Sequence, residues 1–388
     1  MKAYSGINFW LLCLSSYLFF SSFTMIIAEL PAYLKSLGGE EYLGLIISLF
    51  TLTAGISRPF SGKLTDQWGR VPVMIIGAVV SGLAALMYPV LATVSGFLLI
   101  RLLHGFSTGF KPTATSAYVA DIVPANRRGE ALGMLSMFGT IGMSSGPAIG
   151  STIFLYYGIN ALFYSSAIFA VGSILILAGM KETLKNRKKF TPSLLIINKD
   201  DIYEPKVVMP GIVMVLTAFS FGTIITLSPD FSDYLAISNR GLFFMIFTGS
   251  SLLVRIIGGR LSDMFGRVSV LRFSTFIIFV SMIVIGTAQD QVQFFTGAFI
   301  FGLGYGLNSP TLFAWTIDLS PEASRGKGIS TLFIFLEIGI GMGALITGSL
   351  YQGFDHRFPW IFCGAALFSL AAFLYVVSKG KQQVSTAA

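Results

Sequence analysis

Long apolar stretches, separated by short polar segments, run along almost the whole chain of 388 residues. Each stretch is roughly 18 to 25 residues long, which is enough for a helix to cross a bilayer core of about 30 Å. The pattern predicts an all-α membrane protein with twelve transmembrane helices. The predicted spans are 7–34, 42–61, 73–93, 96–119, 131–156, 160–180, 208–232, 239–258, 270–288, 292–317, 328–351 and 358–378.

A polar segment that begins KETLKNRKKF divides the predicted spans into two groups of six. Basic residues stay on the cytoplasmic side of membrane proteins, so a segment rich in Lys and Arg is typical of a cytoplasmic linker. The chain ends and the even-numbered loops hold most of the other basic residues, and we therefore expect both termini in the cytoplasm. The predicted organisation is a six-helix bundle at 1–180, a linker at 181–207, a second six-helix bundle at 208–380 and a short polar tail at 381–388.

The composition, 54% hydrophobic and 11% charged, excludes an ordinary soluble globular protein. The net charge of +8 follows from the basic loops, so it does not indicate a nucleic-acid partner. Cys13 and Cys363 lie in apolar runs, and His104 and His356 lack metal-ligand spacing, so we expect neither a disulfide framework nor a metal site. Apart from the intramembrane charges discussed below, no nucleophile or carboxylate pair at one depth is visible, and we expect no cofactor and no enzymatic activity.

The polar nonapeptide GKLTDQWGR (62–70) returns as GRLSDMFGR (259–267). The same shift of 197 residues turns DIVPANRRG (121–129) into DLSPEASRG (318–326) and aligns two glycines of span 4 with two of span 10. One shift that aligns three separate motifs indicates two six-helix pseudo-repeats in the same orientation, which places a substrate path between the halves near the bilayer midplane. The aligned glycines are Gly105 and Gly109 with Gly302 and Gly306.

The nonapeptide resembles the loop 2–3 signature of the major facilitator superfamily, and the resemblance covers essentially the whole chain. The family usually has a basic residue after the aspartate, where this chain has Gln67 and Met264. In the family, the charges of these loops form a cytoplasmic latch across the two halves that breaks when the transporter switches. A simpler alternative is that they set the topology and cap helices. The matching positions are Gly62, Asp66, Gly69, Arg70, Asp121 and Arg128 in the first half, and Gly259, Asp263, Gly266, Arg267, Asp318 and Arg325 in the second.

Two details of the first nonapeptide follow from its residues alone. We expect Gly62 and Gly69 where the chain leaves one helix and enters the next, because glycine takes left-handed backbone angles without steric cost. Asp66 lies four residues before Arg70, and Asp121 at the end of span 4 is a second acceptor for the same guanidinium.

Span 4 has one polar face within RLLHGFSTGFKPT (101–113). Arg101, His104 and Lys111 lie on this face at 100° per residue. Burying such charges costs several kcal/mol, so we expect the face to point at a carboxylate or into a water-filled cavity for protons or substrate. The spacing RxxxGxxxG resembles the family's span 4 motif, whose arginine is implicated in proton coupling in proton-driven members. Ala298 stands at the corresponding position of the second half, so the asymmetry indicates a role for Arg101 in transport.

Two carboxylates are candidate proton carriers. Glu29 follows Ser15 and Ser22 at intervals of seven in span 1 and lies at a depth comparable to Arg101. A carboxylate that alternates between pairing with arginine and taking a proton couples proton entry to a conformational change; the alternative is a glutamate at the outer rim that faces water. Glu337, in the middle of span 11, is the second candidate for proton or substrate binding, with a structural salt bridge to Lys111 as the alternative.

Span 5 contains GTIGMSSGPAIGS (139–151). Its glycines make a flat face for close helix packing, and its proline removes a backbone donor and bends the helix. Packing alone would explain the glycines, yet GxxxGPxxG also resembles the signature of proton-coupled exporters of the family, with Ser151 in place of the last glycine. The residues of this motif are Gly142, Gly146, Pro147 and Gly150.

These observations predict a secondary transporter of the twelve-span proton-coupled drug or metabolite exporter branch, which works by alternating access. Proton-driven export, an antiport, is the favoured function, and a proton-coupled uptake symporter is the alternative. A non-transporting receptor or scaffold is disfavoured by the duplicated latch and the intramembrane charges. The expected partners are a small-molecule substrate, protons and the lipid bilayer, without nucleic acid. We expect a monomeric multi-pass protein of the cell membrane.

Overall fold

The computed structural model of the protein describes residues 6–123, 128–184, 187–197, 202, 204–320 and 325–385. For residues 120, 128–130, 256–260, 263, 325–327 and 379–385 it describes the backbone and not the side chains. All regular structure in these ranges is helical, as the apolar pattern predicts. The α-helices are α1 (Ile7–Met25), α2 (Leu30–Ser36), α3 (Leu45–Gln67), α4 (Arg70–Met87), α5 (Val94–Ile122), α6 (Arg128–Ala178), α7 (Val208–Tyr234), α8 (Leu242–Phe265), α9 (Arg267–Gly286), α10 (Gln291–Leu319), α11 (Arg325–Tyr351) and α12 (Phe358–Ser385).

The chain divides into two compact units, and the predicted linker does not form a third. The first unit comprises residues 1–38 and 49–201, and the second comprises 39–48 and 202–388. In the first, α1 packs on α6, and α4 packs on both α5 and α6. In the second, α7 packs on α11 and α12, and α10 packs on α8 and α9.

Eight helical stretches of the described chain are long and apolar enough to cross a membrane. One of them, at 131–178, covers two predicted spans. Gly158 separates these two spans, because its backbone angles within α6, φ 81° and ψ 178°, are not helical. Helices α5 and α10, with 29 residues each, are also long enough to cross a membrane. They are not among the eight because they are less apolar. The all-helical membrane class is confirmed, and the count of twelve spans stays a prediction.

Helix α1 ends at Met25, and predicted span 1 continues as the separate helix α2. Glu29 lies in the turn between them, one residue before α2 and two before Pro31. A proline fits the first turn of a helix but cannot continue the one before it, because it lacks the N–H donor. The predicted uninterrupted face through Ser15, Ser22 and Glu29 is therefore broken before it reaches the glutamate.

The predicted turn role is correct for Gly69 and wrong for Gly62. Gly69 precedes α4 with φ 149°, and Gly266 precedes α9 with φ 81°, angles that side chains with a Cβ rarely take. Gly62 lies inside α3, and a Cβ added there would meet no atom within 4 Å. The helix continues through Gly62 to Gln67, so the reversal needs only the second glycine.

Candidate functional site

Arg70 lies between two carboxylates at the end of α3. Its Nη1 donates to Asp66 Oδ1 at 2.9 Å, and its Nε donates to Asp121 Oδ2 at 3.2 Å. Nη1 also donates to the carbonyl oxygen of Thr65. The guanidinium therefore ties the end of α3 and the start of α4 to the end of α5. The side chain of Arg128, which the sequence places in the same group, lies outside the described residues.

A carboxylate from the linker caps α4. Glu182 Oε1 accepts from the backbone N–H of Arg70 and Oε2 from that of Val71, both at 3.0 Å. The first N–H groups of a helix have no partner within it and lie at the positive end of its dipole, so an anion here is stabilising. A Cβ on Gly69 would lie 2.6 Å from Glu182 Oε2, so the turn needs glycine for the carboxylate as well as for the backbone angle.

The rest of the first linker segment follows the same loop. The Lys188 N–H donates to the carbonyl oxygen of Gln67 at 2.7 Å, and Arg187 Nε donates to that of Trp68 at 3.1 Å. The Phe190 ring contacts the indole of Trp68 with centroids 5.5 Å apart. In addition, the Thr183 hydroxyl donates to Asp121 Oδ2 at 2.6 Å. We call residues 181–184 and 187–197 the linker strap. It shares Asp121 with Arg70, a contact that the sequence analysis did not predict.

We expect Glu182→Ala to loosen the linker strap and lower the free energy of unfolding by about 1 to 2 kcal/mol, the usual cost of losing a helix cap. Trypsin should then cut after Arg187 and Lys188 several times faster than in the wild type. Glu182→Gln, which keeps an oxygen acceptor but no charge, should fall between the two. Glu41→Ala, at an exposed glutamate, is the control. An unchanged digestion rate in Glu182→Ala would contradict the capping role.

The second unit contains a corresponding ion pair at the predicted offset of 197. Arg267 Nε donates to Asp318 Oδ2 at 2.9 Å, and its Nη1 donates to Ser262 Oγ at 2.6 Å. These positions correspond to Arg70, Asp121 and Thr65. Of the other predicted positions of this group, Gly259 is described through its backbone, and the side chains of Asp263 and Arg325 lie outside the described part of the structure.

Several backbone contacts also recur at this offset. A Cβ on Gly105 would collide with the Phe50 carbonyl oxygen and the Thr53 hydroxyl, and one on Gly302 would collide with the same atoms of the residues 197 positions later. The Thr93 side chain caps α5 by accepting from Gly96 N, and that of Asp290 caps α10 by accepting from Gln293 N. The three-helix arrangement of α3, α4 and α5 therefore has counterparts in α8, α9 and α10.

A buried polar cluster lies between α4 and α5. Arg101, 1% exposed, donates from Nη1 to the Tyr88 hydroxyl at 3.3 Å, and its guanidinium lies 4.6 Å from the centroid of the Phe50 ring. His104 lies 3.4 Å from the same hydroxyl through Nδ1 and 3.2 Å from Ser81 Oγ through Nε2. Apolar residues occupy the positions 197 residues after Arg101, Tyr88, His104 and Ser81: Ala298, Ile285, Phe301 and Ile278.

Two serine contacts and Glu29 extend this polar interior. Ser22 Oγ lies 3.4 Å from Ser81 Oγ and donates to the Ser166 carbonyl oxygen at 2.8 Å. Glu29 is 1% exposed and accepts from the Ser151 hydroxyl at 2.6 Å. The alternative of a glutamate that faces water is therefore wrong for this structure. The Glu29–Arg101 pair stays a prediction.

Lys111 lies deep in the same unit. It is 1% exposed, its Nζ donates to the Ser15 carbonyl oxygen at 3.3 Å, and the ammonium lies 4.8 Å from the centroid of the Phe19 ring. The Ser173 hydroxyl donates to the same carbonyl at 3.1 Å. The polar face predicted for span 4 thus points into the packed helices α1, α4 and α6.

Two acidic residues of the second unit are withdrawn from solvent. Glu337 in α11 is half-buried. Asp230 in α7 is 4% exposed, and the nearby end of α11 contains Tyr351, whose hydroxyl donates to Asp355 Oδ1 at 2.8 Å. Asp230 was not predicted as a site residue, because it lies at the end of a span, where a carboxylate is usually solvated.

The glycines of the predicted span 5 motif lie against α1. A Cβ on Gly142 would lie 2.6 Å from the Tyr17 carbonyl oxygen, one on Gly146 would collide with the Thr24 hydroxyl, and one on Gly150 with the Met25 carbonyl oxygen. Pro147 lies within helical backbone, and the non-helical residue of α6 is Gly158. Close packing against α1 is therefore sufficient to explain the three glycines.

Sequence reasoning missed two further residues of these clusters. Tyr88, fully buried, links Arg101 to His104, and its only sequence signal was a tyrosine at the end of an apolar span. Glu182 lies in a linker rich in charge, where one carboxylate does not stand out. Tyr88 acts through residues of the next helix, 13 and 16 positions away, and Glu182 acts through Arg70, 112 positions away, so patterns within one helix could not identify them.

Comparisons with known proteins agree with this architecture. The Major Facilitator Superfamily family model matches residues 11–238 and 210–387. The multi-drug resistance efflux pump PmrA of Streptococcus pneumoniae is 27% identical over 350 residues, which cover 84% of each chain. The multidrug resistance protein MdtG of Serratia proteamaculans is 26% identical over 392 residues, which cover 95% of this chain and 92% of that one. The crystal structure of the human organic anion transporter MFSD10 aligns with a TM-score of 0.74 at 17% identity, over 96% of this chain and 100% of that one, and so has the same fold.

Proposed function

Because the chain belongs to the major facilitator superfamily, we propose that it exports a small molecule in exchange for protons by alternating access. As a member of this family it is a multi-pass membrane transporter and not an enzyme. The observation that carries the proposal of export is the similarity to efflux pumps over most of both chains. The substrate is a small molecule that the residues by themselves do not identify.

The proposed architecture has twelve spans in two six-helix repeats, with both termini in the cytoplasm of a monomer in the cell membrane. The recurrence of ion pairs, caps and glycine contacts at the offset of 197 supports the repeats. The break at Gly158 supports two spans within α6. The basic residues of the even-numbered loops support the orientation, since such residues stay on the cytoplasmic side.

In this proposal the two arginine–aspartate pairs belong to the latch that stabilises one state of the transporter. Arg70 holds the ends of α3, α4 and α5 together through Asp66 and Asp121, and Arg267 joins α9 to α10 through Asp318. These pairs are partly exposed, so each contributes little stability by itself. Small contributions suit contacts that form and break in each cycle.

Proton coupling is proposed for the buried charges of the spans. Glu29, Arg101 and His104 lie in the interior of the first unit, and Glu337 is half-buried in α11 of the second. Ionisable residues are expensive within a membrane and are typical of proton pathways. The hydrogen bond from Ser151 to Glu29 supports a carboxylate that is held in place while its charge changes.

Everted membrane vesicles with an acid interior test export directly. We expect a lipophilic dye to accumulate in vesicles that contain the wild type, and accumulation in Glu29→Gln and Glu337→Gln to fall by at least about tenfold, a typical size for energetic coupling between sites. Glutamine keeps an oxygen acceptor for Ser151 but binds no proton. Glu41→Gln, at an exposed position, is the matched control. Dye efflux driven by the same gradient would contradict export and indicate symport, and wild-type rates in both variants would exclude these carboxylates from coupling.

A further inference from the structure

Among the residues that the structure describes, no carboxylate contacts the ammonium of Lys111. Its ammonium contacts the carbonyl oxygen of Ser15 and the aromatic ring of Phe19. The titratable side chains of α1 are Cys13 and Tyr17, α4 has no charged residue after Arg70, and residues 159–178 of α6 contribute only Tyr164, which is exposed. An ammonium ion in such surroundings costs several kcal/mol.

The acidic residues nearest to Lys111 along the chain are distant. On its own helix, Asp121 is ten residues away, about 15 Å at 1.5 Å per residue, and it is engaged with Arg70 and Thr183. Arg101 and His104 lie on the opposite side of Lys111 along the helix. The buried Tyr118 follows Lys111 by seven residues on the same face, and its hydroxyl donates to the Lys181 carbonyl oxygen at 2.9 Å. Glu29 is fourteen residues beyond Ser15, about 20 Å if the chain were helical throughout.

The second unit has a neutral residue with a structural role at the position that corresponds to Lys111. Position 308, 197 residues after Lys111, is Asn308. It is fully buried, donates from Nδ2 to the Thr217 hydroxyl at 3.0 Å and accepts from the Ser274 hydroxyl at 3.4 Å. Position 274 corresponds to Gly77, which packs on Lys111. A neutral amide can therefore pack and form hydrogen bonds at this position of the bundle, so packing by itself does not require a lysine.

We propose that Lys111 is a proton-binding site of the transport cycle. The inference rests on the proposed function of proton-driven export. When the proton leaves, an N–H bond of the ammonium breaks, its electron pair stays on nitrogen as the free amine, and the proton passes to water. Water that reaches the ammonium, or loss of the proton, removes the cost of burying the charge. The proton on Lys111 thus biases the equilibrium between a packed and a hydrated state of the first unit, which is what coupling requires.

Two substitutions separate this role from a structural one. Lys111→Asn reproduces the second unit and keeps a hydrogen-bond donor, whereas Lys111→Arg keeps the charge but cannot release its proton. If the role of Lys111 is structural, one of the two variants should keep gradient-driven transport. If Lys111 carries a proton, neither variant should keep it. We use proteoliposomes with ethidium as the probe. In both variants, ethidium accumulation driven by a pH gradient should fall about tenfold or more below that of the wild type. Ethidium exchange down its own gradient should stay close to the wild-type rate. Asn308→Ala is the control and should remain coupled.

The outcomes distinguish the two proposals. Gradient-driven accumulation at the wild-type level in Lys111→Asn or Lys111→Arg overturns the role of Lys111 and leaves proton-driven export intact. A wild type that exchanges ethidium but ignores the gradient contradicts the proposed function itself. If neither variant folds, the wild type decides: with ¹⁵N at the lysine Nζ atoms, one NMR signal should move from the ammonium to the amine position when ethidium is added. Lysines that all stay ammonium overturn the proposal.

Discussion

Arg101→Ala should abolish gradient-driven dye export, with a fall in the initial rate of about a hundredfold or more. Coupling between sites is typically worth about 1 to 3 kcal/mol, or roughly 5- to 150-fold, so the loss of a residue on which the coupling depends accounts for a change of this size. The substitution removes the cation between the Phe50 ring and the Tyr88 hydroxyl and leaves His104 beside an unfilled space. Dye transport in everted vesicles measures the effect.

Arg357 provides a matched control for this experiment. Its guanidinium also stacks on a phenylalanine ring, 4.4 Å from the Phe354 centroid, and it donates to the Leu350 carbonyl oxygen at 2.8 Å, but these contacts lie near the surface. We expect Arg357→Ala to transport at close to the wild-type rate. Arg101→Lys, which keeps the charge but loses the planar fork, should recover only part of the activity. Wild-type transport by Arg101→Ala would show that the cluster is structural.

Gly150→Ala should lower the free energy of unfolding by at least about 1 to 3 kcal/mol, the usual cost of overpacking. The added methyl group would collide with the carbonyl oxygen of Met25, the last residue of α1. Main-chain atoms on both sides cannot rotate away as a side chain can, so α1 and α6 must move apart. A lower Tm of the purified protein in detergent would report this change.

Gly133→Ala is the control within the same helix. A Cβ at Gly133 would meet no atom within 4 Å, so alanine should be neutral there, or stabilise the helix by up to about 1 kcal/mol through its higher propensity. The two substitutions add the same methyl group to α6 and differ only in what it meets. Equal shifts in Tm would show that the contact between Gly150 and α1 does not limit stability.

The helices and the ion pairs were accessible from the sequence because their signals are local or repeated. An apolar run of membrane-spanning length can satisfy its backbone in lipid only as a helix or a closed barrel, so the all-helical class followed from hydropathy. Asp66 and Arg70 are four residues apart, about one helical turn. Asp121 was identified because its motif recurs in the second half of the chain. Repetition at one offset supplied information that a single motif lacks.

Other features depended on contacts between distant parts of the chain. Glu182 reaches α4 across 112 positions of sequence, and Ser151 reaches Glu29 across 122. No periodicity records such pairings, because each is set by how whole helices pack. The same limit explains why Tyr88 and Asp230 were overlooked, and why Gly62 was placed at a turn when α3 continues through it.

The sequence by itself determined the class of the protein, its family and the positions of its repeated charges, because length, apolarity and spacing act through local physics. Only the tertiary structure decided the surroundings of those charges. The tertiary structure packs Lys111 against a carbonyl oxygen and an aromatic ring, and Glu29 against a serine. It also packs the linker strap on the loop that precedes α4. The free energy of a buried charge depends on its neighbours within a few ångströms, and those neighbours come from helices that are remote in sequence.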